Sequence, residues 1–254
     1  MSLELILLCV VSFGAGFIDS IVGGGGLLQT PAMLIILPQY PVATVLGTIK
    51  IPSLSGTSFA AWRYSQNVTL KWKFLVFVAA FAFVGAIMGA HSISLVDSNL
   101  IKPIIFVILI MVAVFTFFKK NFGLQQEKDL SLYQKLATGL LLGFLIGFYD
   151  GLIGPGTGTF LILAFISLLG IYFLRASASA KLINMATNIA AIIYFGSTGQ
   201  ILYEFAIPMA LFNIGGSILG TRLALLKGNR FIRYFFLIVV FATILRFAYD
   251  IFFP

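Results

Sequence analysis

An acid followed closely by a glycine-rich break occurs twice in this chain, each time inside apolar sequence. The first copy is Gly16-Phe17-Ile18-Asp19-Ser20-Ile21-Val22-Gly23-Gly24-Gly25-Gly26. The second is Gly147-Phe148-Tyr149-Asp150-Gly151-Leu152-Ile153-Gly154-Pro155-Gly156-Thr157, displaced by a constant 131 positions (147 − 16 = 131). The same displacement aligns Phe13 with Phe144, Lys50 with Lys181, Ala60 with Ala191, Phe74 with Phe205, Phe81 with Phe212, Gly85 with Gly216, Ile87 with Ile218 and Gly89 with Gly220, without a gap. Matches among Phe, Ile and Ala are cheap in an apolar chain. An acid, a lysine and several glycines in one register are not, and they mark an internal duplication.

The residues around the repeat are membrane-grade. Hydrophobic side chains make up 60% of the chain and charged ones 9%, against roughly 25% charged in a soluble domain. A helix needs about 20 apolar residues to cross the hydrocarbon core, and eight long apolar tracts can be counted, among them 3–22, 74–90, 104–118, 136–153, 205–226 and 231–253. Two shorter tracts, 26–37 and 158–170, each follow a glycine break. At 1.5 Å per residue they reach only about 17–20 Å, too little for a core of about 30 Å. The expected fold is an all-α polytopic membrane protein with about eight long transmembrane helices and two short, discontinuous ones.

The net charge of +8 sits at tract ends rather than in a basic stripe with interleaved aromatics, which is a topology signal and not a nucleic-acid footprint. Cys9 is the only cysteine, so no intrachain disulfide can form. The N-terminus has no basic region before its first apolar tract, so that tract is expected to remain as a helix rather than be removed as a signal peptide.

One transporter domain over 1–254 is expected, with one repeat over about 1–120, a polar linker over about 119–133 and a second repeat over about 132–254. Loop charges orient the halves. The loop 63–73 carries Arg63, Lys71 and Lys73 beside Trp62 and Trp72, and the linker with its far edge carries Lys119, Lys120, Lys128 and Lys135; both read as cytoplasmic. The loop 91–102 between them is nearly neutral. In the second half the counterpart of 63–73 is 197–204, with no lysine or arginine, whereas the counterpart of the neutral loop carries Arg222, Lys227, Arg230 and Arg233. Equivalent loops therefore fall on opposite faces, which predicts inverted-topology repeats with both termini outside.

The breaks and the lysines carry the candidate chemistry. Gly23, Gly24, Gly25 and Gly26 are poorly compatible with a continuous helix, since each costs about 1 kcal/mol relative to alanine. Gly154, Gly156 and Gly158 surround Pro155, which lacks a backbone donor. Unwound backbone at membrane depth survives only when buried or lining a cavity, and a restarting helix at Leu27 or Thr159 presents free amides to an anion. Lys50 and Lys181 lie well inside apolar tracts, where an ionised lysine costs on the order of 3 kcal/mol or more. They require anionic company. Asp19 and Asp150, each 31 positions upstream of its lysine (50 − 19 = 31; 181 − 150 = 31), supply it, or a bound anion between the halves does.

The aspartates suit capping of the loop amides or pairing, and equally coupling to a proton or another ion. Ser53 and Thr57 share the helical face of Lys50, and Asn184 and Asn188 that of Lys181. Gln29, Thr30, Thr157 and Thr159 add neutral hydrogen-bonding groups near the restarting helices. Contact between helices is the alternative role for all of these, as it is for Gly85, Gly89, Gly216 and Gly220. No metal cluster, nucleophile–histidine–acid set or cofactor motif stands out, which argues against an enzyme. Arg246 and Asp250, four apart near the C-terminus, can pair with each other.

At these residues the chain resembles the TauE/SafE family of membrane transporters, also called the sulfite exporter or TSUP family. The matching pieces are the segment from Gly16 through Gly26 with Leu27-Leu28-Gln29-Thr30-Pro31, then Gly47-Thr48-Ile49-Lys50, and the segment from Gly147 through Gly158. The resemblance implies movement of small sulfur-containing anions, such as sulfite, thiosulfate, sulfoacetate or other organosulfonates, across a bacterial or archaeal inner membrane. It does not carry over a direction of transport. An anion channel and a non-transporting membrane scaffold are the competing functions.

Overall fold

The computed structural model describes residues 3–96, 107 and 131–252, with only the backbone course given over 228–252. Its regular structure is helical throughout the described residues: α1 (Leu3–Val22), α2 (Gly25–Ile36), α3 (Val42–Ser65), α4 (Trp72–Ser94), α5 (Leu132–Leu152), α6 (Thr157–Leu169), α7 (Phe173–Ser197) and α8 (Tyr203–Phe252).

Both expected helix breaks are present. α1 stops where Gly23 takes φ +80°, and α5 stops just before Gly154, its counterpart, takes φ +90°. Both lie in the left-handed region that side chains with a Cβ enter only at a cost. The Gly23 amide closes on Asp19 O at 2.7 Å, and the Gly154 amide on Tyr149 O at 3.1 Å. The helices restart two residues earlier than expected, at Gly25 and Thr157. At 12 and 13 residues, α2 and α6 are half-length elements.

Among the described residues, five helices are long and apolar enough to cross a membrane: α1, α4, α5, α7 and the Tyr203–Lys227 portion of α8. The chain is therefore a multi-pass membrane protein, and five of the roughly eight long spans expected from sequence are found among the described residues. α3 is long enough at 24 residues, yet Lys50, Ser53, Ser55 and Thr57 lower its hydropathy, and most of it is buried by other helices instead. The tracts 205–226 and 231–253 are not separate, because α8 runs for 50 residues. Lys227-Gly228-Asn229-Arg230 reads as a connection, but a single glycine costs a helix only about 1 kcal/mol and the other three residues are tolerated. The tract 104–118, nearly all of the linker, and the Arg246–Asp250 pair lie outside what is described.

Packing exchanges the two halves. α1 lies against α8 and its counterpart α5 lies against α4, while α3 and its counterpart α7 pack on each other. Glycines make these approaches possible, since a Cβ would strike the facing backbone. One on Gly85 would meet Phe144 O, and one on Gly216 would meet Phe13 O; for Gly89 and Gly220 the obstacles are Phe148 O and Phe17 O. Gly147 likewise faces Ala82 O, and Gly16 faces Asn213 O. Each contact maps onto its partner under the 131-residue shift with the halves interchanged. This is close small-residue packing, and it assigns Gly85, Gly89, Gly216 and Gly220 to helix contact.

Candidate functional site

The two glycine breaks touch backbone to backbone. Thr159 N donates to Gly23 O at 3.2 Å, Thr159 Oγ1 donates to Val22 O at 3.1 Å, and a Cβ on Gly26 would lie 3.1 Å from Pro155 Cα. The starts of α2 and α6 are thereby brought to one place. Among the described residues, the first-turn amides of Gly26 and Gly158 make no backbone hydrogen bond, as the geometry of a helix start requires.

The buried lysines, carried by α3 and α7, close on this junction from the sides, and their pairing is crossed. Lys50 Nζ lies 3.2 Å from Asp150 Oδ1 and donates to Asp150 O at 2.5 Å. Lys181 Nζ lies 2.8 Å from Asp19 Oδ2 and also donates to Asp19 O. Each lysine thus takes the aspartate of the other half, not the one 31 positions upstream in its own. The lysine meets both the carboxylate and the carbonyl of the last turn before a break; Asp19 O is shared with the Gly23 amide, while among the described residues Asp150 O accepts no backbone donor from outside its helix. A cation there complements the negative end of the helix dipole as well as the acid.

The two pairs are not equivalent. Asp19 is 18% exposed at its side chain, and its Oδ2 also accepts from Thr57 Oγ1 at 3.1 Å. Asp150 is 3% exposed; its Oδ1 accepts from Thr157 Oγ1 at 2.7 Å, and its Oδ2 has no hydrogen-bond partner. The difference follows from sequence, because Thr157 stands where the first copy has Gly26.

Between the breaks lies a cavity of about 30 Å³, with space for water-sized groups. Of the expected residues, Asp19, Gly23, Gly26, Lys50, Ser53, Asp150, Gly154, Gly156, Thr157, Gly158, Asn184 and Asn188 line it, as does Thr30. Lys181 and Thr57 stand behind Asp19 and brace it. Gln29 turns away and donates to Ser12 Oγ at 3.2 Å. Gly24 and Gly25 do not line the cavity; a Cβ on Gly25 would lie 2.6 Å from Ala15 O, so its bareness serves packing against α1. Asn188 Nδ2 donates to Asn184 O at 2.8 Å, tying Asn188 to its own helix.

Leu46, Ile49 and Ile153 line the cavity without having been singled out by sequence, and Pro155, expected only as a helix breaker, lines it too. Leu46 and Ile49 could have been found by stepping back along the helical face of Lys50 and Ser53. Ile153 and Pro155 flank Gly154 and come with the break itself.

Discontinuous helices meeting at a buried charged junction within a multi-pass helical protein define the class of membrane transporters. The chain belongs to the TauE/SafE family: residues 8–247 match the family described as Sulfite exporter TauE/SafE. It is 35% identical to a "Probable membrane transporter protein ORF9" of Sinorhizobium sp. over 97% of this chain and 93% of that protein. It is 33% identical to a "Probable membrane transporter protein" of Haemophilus influenzae over 98% and 96%, and 31% identical to the "Probable membrane transporter protein YfcA" of Escherichia coli K12 over 96% and 89%. No solved structure matches the chain.

Proposed function

We propose that this protein is a secondary transporter that moves a small sulfur-containing anion, such as sulfite, thiosulfate, sulfoacetate or another organosulfonate, across the inner membrane by alternating access. The observation that carries the reading is the crossed pairing of Lys50 with Asp150 and Lys181 with Asp19 at the point where two broken helices meet. Charges this deep in a membrane protein mark a pathway for substrate or coupling ion more often than a structural filler. The family's name supplies the sulfur-anion class.

A two-fold relation between the halves is supported by their contacts, and its inverted sense by the loop charges. Helix contacts interchange under the repeat shift, and the loop charges place equivalent loops on opposite faces. A two-fold axis lying in the membrane plane satisfies both, with the linker cytoplasmic and both termini outside.

In this mechanism the four charges cancel in the closed arrangement, so an arriving anion must exchange for a carboxylate at a lysine. Lys50, which lines the cavity, receives it, with Ser53, Asn184 and Asn188 offering hydrogen bonds and the amides of Gly26 and Gly158 completing the cradle. The cavity is too small for an organosulfonate, so loading requires the halves to rock apart. An aspartate released from its lysine becomes the natural carrier for a coupling proton.

Purified protein in proteoliposomes loaded with sulfite is expected to show saturable counterflow of labelled sulfite or thiosulfate and little of small carboxylates. Conductance without saturation or counterflow would make the protein a channel. Absence of flux with every sulfur anion would reject the substrate class.

A further inference from the structure

We propose that the cleft where the starts of α4, α5 and α7 converge binds an anionic phospholipid, with its phosphate between Lys71 and Lys135 and an acyl chain along the apolar wall. Lys71 immediately precedes α4, Lys135 lies in the first turn of α5, and Arg175 lies in the first turn of α7. These three cations line one cleft with Phe74, Leu75 and Leu169. Lys71 and Lys135 pair with no carboxylate among the described residues. Arg175 Nη2 donates to Thr69 Oγ1 at 3.3 Å and holds the loop that leads into Lys71.

The height is right for a headgroup. Trp72, 54% exposed, follows Lys71 and sits where aromatic side chains mark the membrane interface. Basic clefts between transmembrane helices at that level suit anionic lipid phosphates, and long lysine side chains reach up to them from below. The apolar wall below the cations gives an acyl chain a place that a soluble anion cannot use.

The duplication supplies an internal control. The counterparts of Lys71, Lys135 and Arg175 are Leu202, Glu4 and Thr44 (71 + 131 = 202; 135 − 131 = 4; 175 − 131 = 44), while Phe74 is matched by Phe205. The frame is shared, so helix packing does not demand the two lysines. A need to mark topology would be met by charge anywhere on the loop, as Arg63 and Lys73 already provide outside the cleft. Convergence of Lys71 and Lys135 on one apolar cleft asks for a ligand with both a phosphate and a chain.

The site is separate from the transport cavity, so its test is independent of the transport reading. Native mass spectrometry of the purified full chain would be titrated with phosphatidylglycerol, phosphatidylcholine and inorganic phosphate. Wild-type protein is expected to prefer phosphatidylglycerol, and the Lys71→Gln, Lys135→Gln double variant to lose on the order of 20-fold in its affinity, with Lys73→Gln unchanged. Lys71 is exposed and Lys135 half-buried, and an unaltered thermal transition would verify that the variant folds. Equal retention of phosphatidylcholine, an unaffected double variant, or displacement of the lipid by inorganic phosphate at equal concentration would each overturn the proposal.

Discussion

Lys50→Ala is expected to lower the unfolding free energy by about 3–5 kcal/mol, the cost of leaving a buried charge without its partner. Asp150 is almost wholly enclosed and keeps only Thr157 as a side-chain partner once the lysine is gone. Removing both charges should behave differently: Lys50→Met with Asp150→Leu is expected to return to wild-type stability within about 1–2 kcal/mol, because replacing a buried pair by apolar groups is often neutral or stabilising. The other pair should respond more mildly. Lys181→Ala leaves Asp19 partly exposed and still hydrogen-bonded to Thr57, so its loss should be the smaller of the two. Denaturant unfolding in mixed micelles of the two single variants and the double variant reads these differences directly. Equal losses at both lysines, or no recovery in the double variant, would contradict the asymmetry.

Gly23→Val is expected to be the most damaging glycine substitution at the site. Gly23 has φ +80°, and a Cβ there would lie 2.5 Å from the Gly158 carbonyl carbon and 2.7 Å from Thr159 N. Left-handed backbone in a residue with a branched Cβ costs about 1–3 kcal/mol, and overpacking against rigid backbone adds about 1–3 kcal/mol. The two breaks would be forced apart, disrupting the Thr159 N to Gly23 O hydrogen bond and the cavity with it. Gly199→Val isolates the first contribution, since Gly199 also has positive φ, +69°, but nothing within 4 Å of its Cβ position. Unfolding measurements should show the Gly23 variant losing roughly twice as much stability as the Gly199 variant, and transport should be lost only in the former.

What sequence carries here and what it does not can be traced to particular residues. The helix breaks were legible because Gly23 and Gly24, and Gly154 with Pro155 and Gly156, fail as helix for local reasons, and local reasons need no knowledge of the fold. Their bounds moved by two residues because glycine at a helix start costs little. The packing glycines were legible as a type, but not their partners, since Gly85 meets Phe144 through a tertiary approach. The crossed ion pairs were hidden for the same reason. Spacing within a half offered a partner 31 positions away, whereas the real partners are 100 and 162 positions apart. The continuity of α8 was missed because a short polar run among apolar tracts resembles a loop even where its residues tolerate helix.

Binding of sulfite and thiosulfate to purified protein by titration calorimetry, in wild type and in the Lys50→Met, Asp150→Leu variant, tests the anion site most directly. Wild-type protein should bind at least one sulfur anion saturably, and the neutral variant, folded by its thermal transition, should bind it at least tenfold more weakly. Equal affinity in both proteins would place the anion away from Lys50 and leave the crossed pairs as struts between the halves.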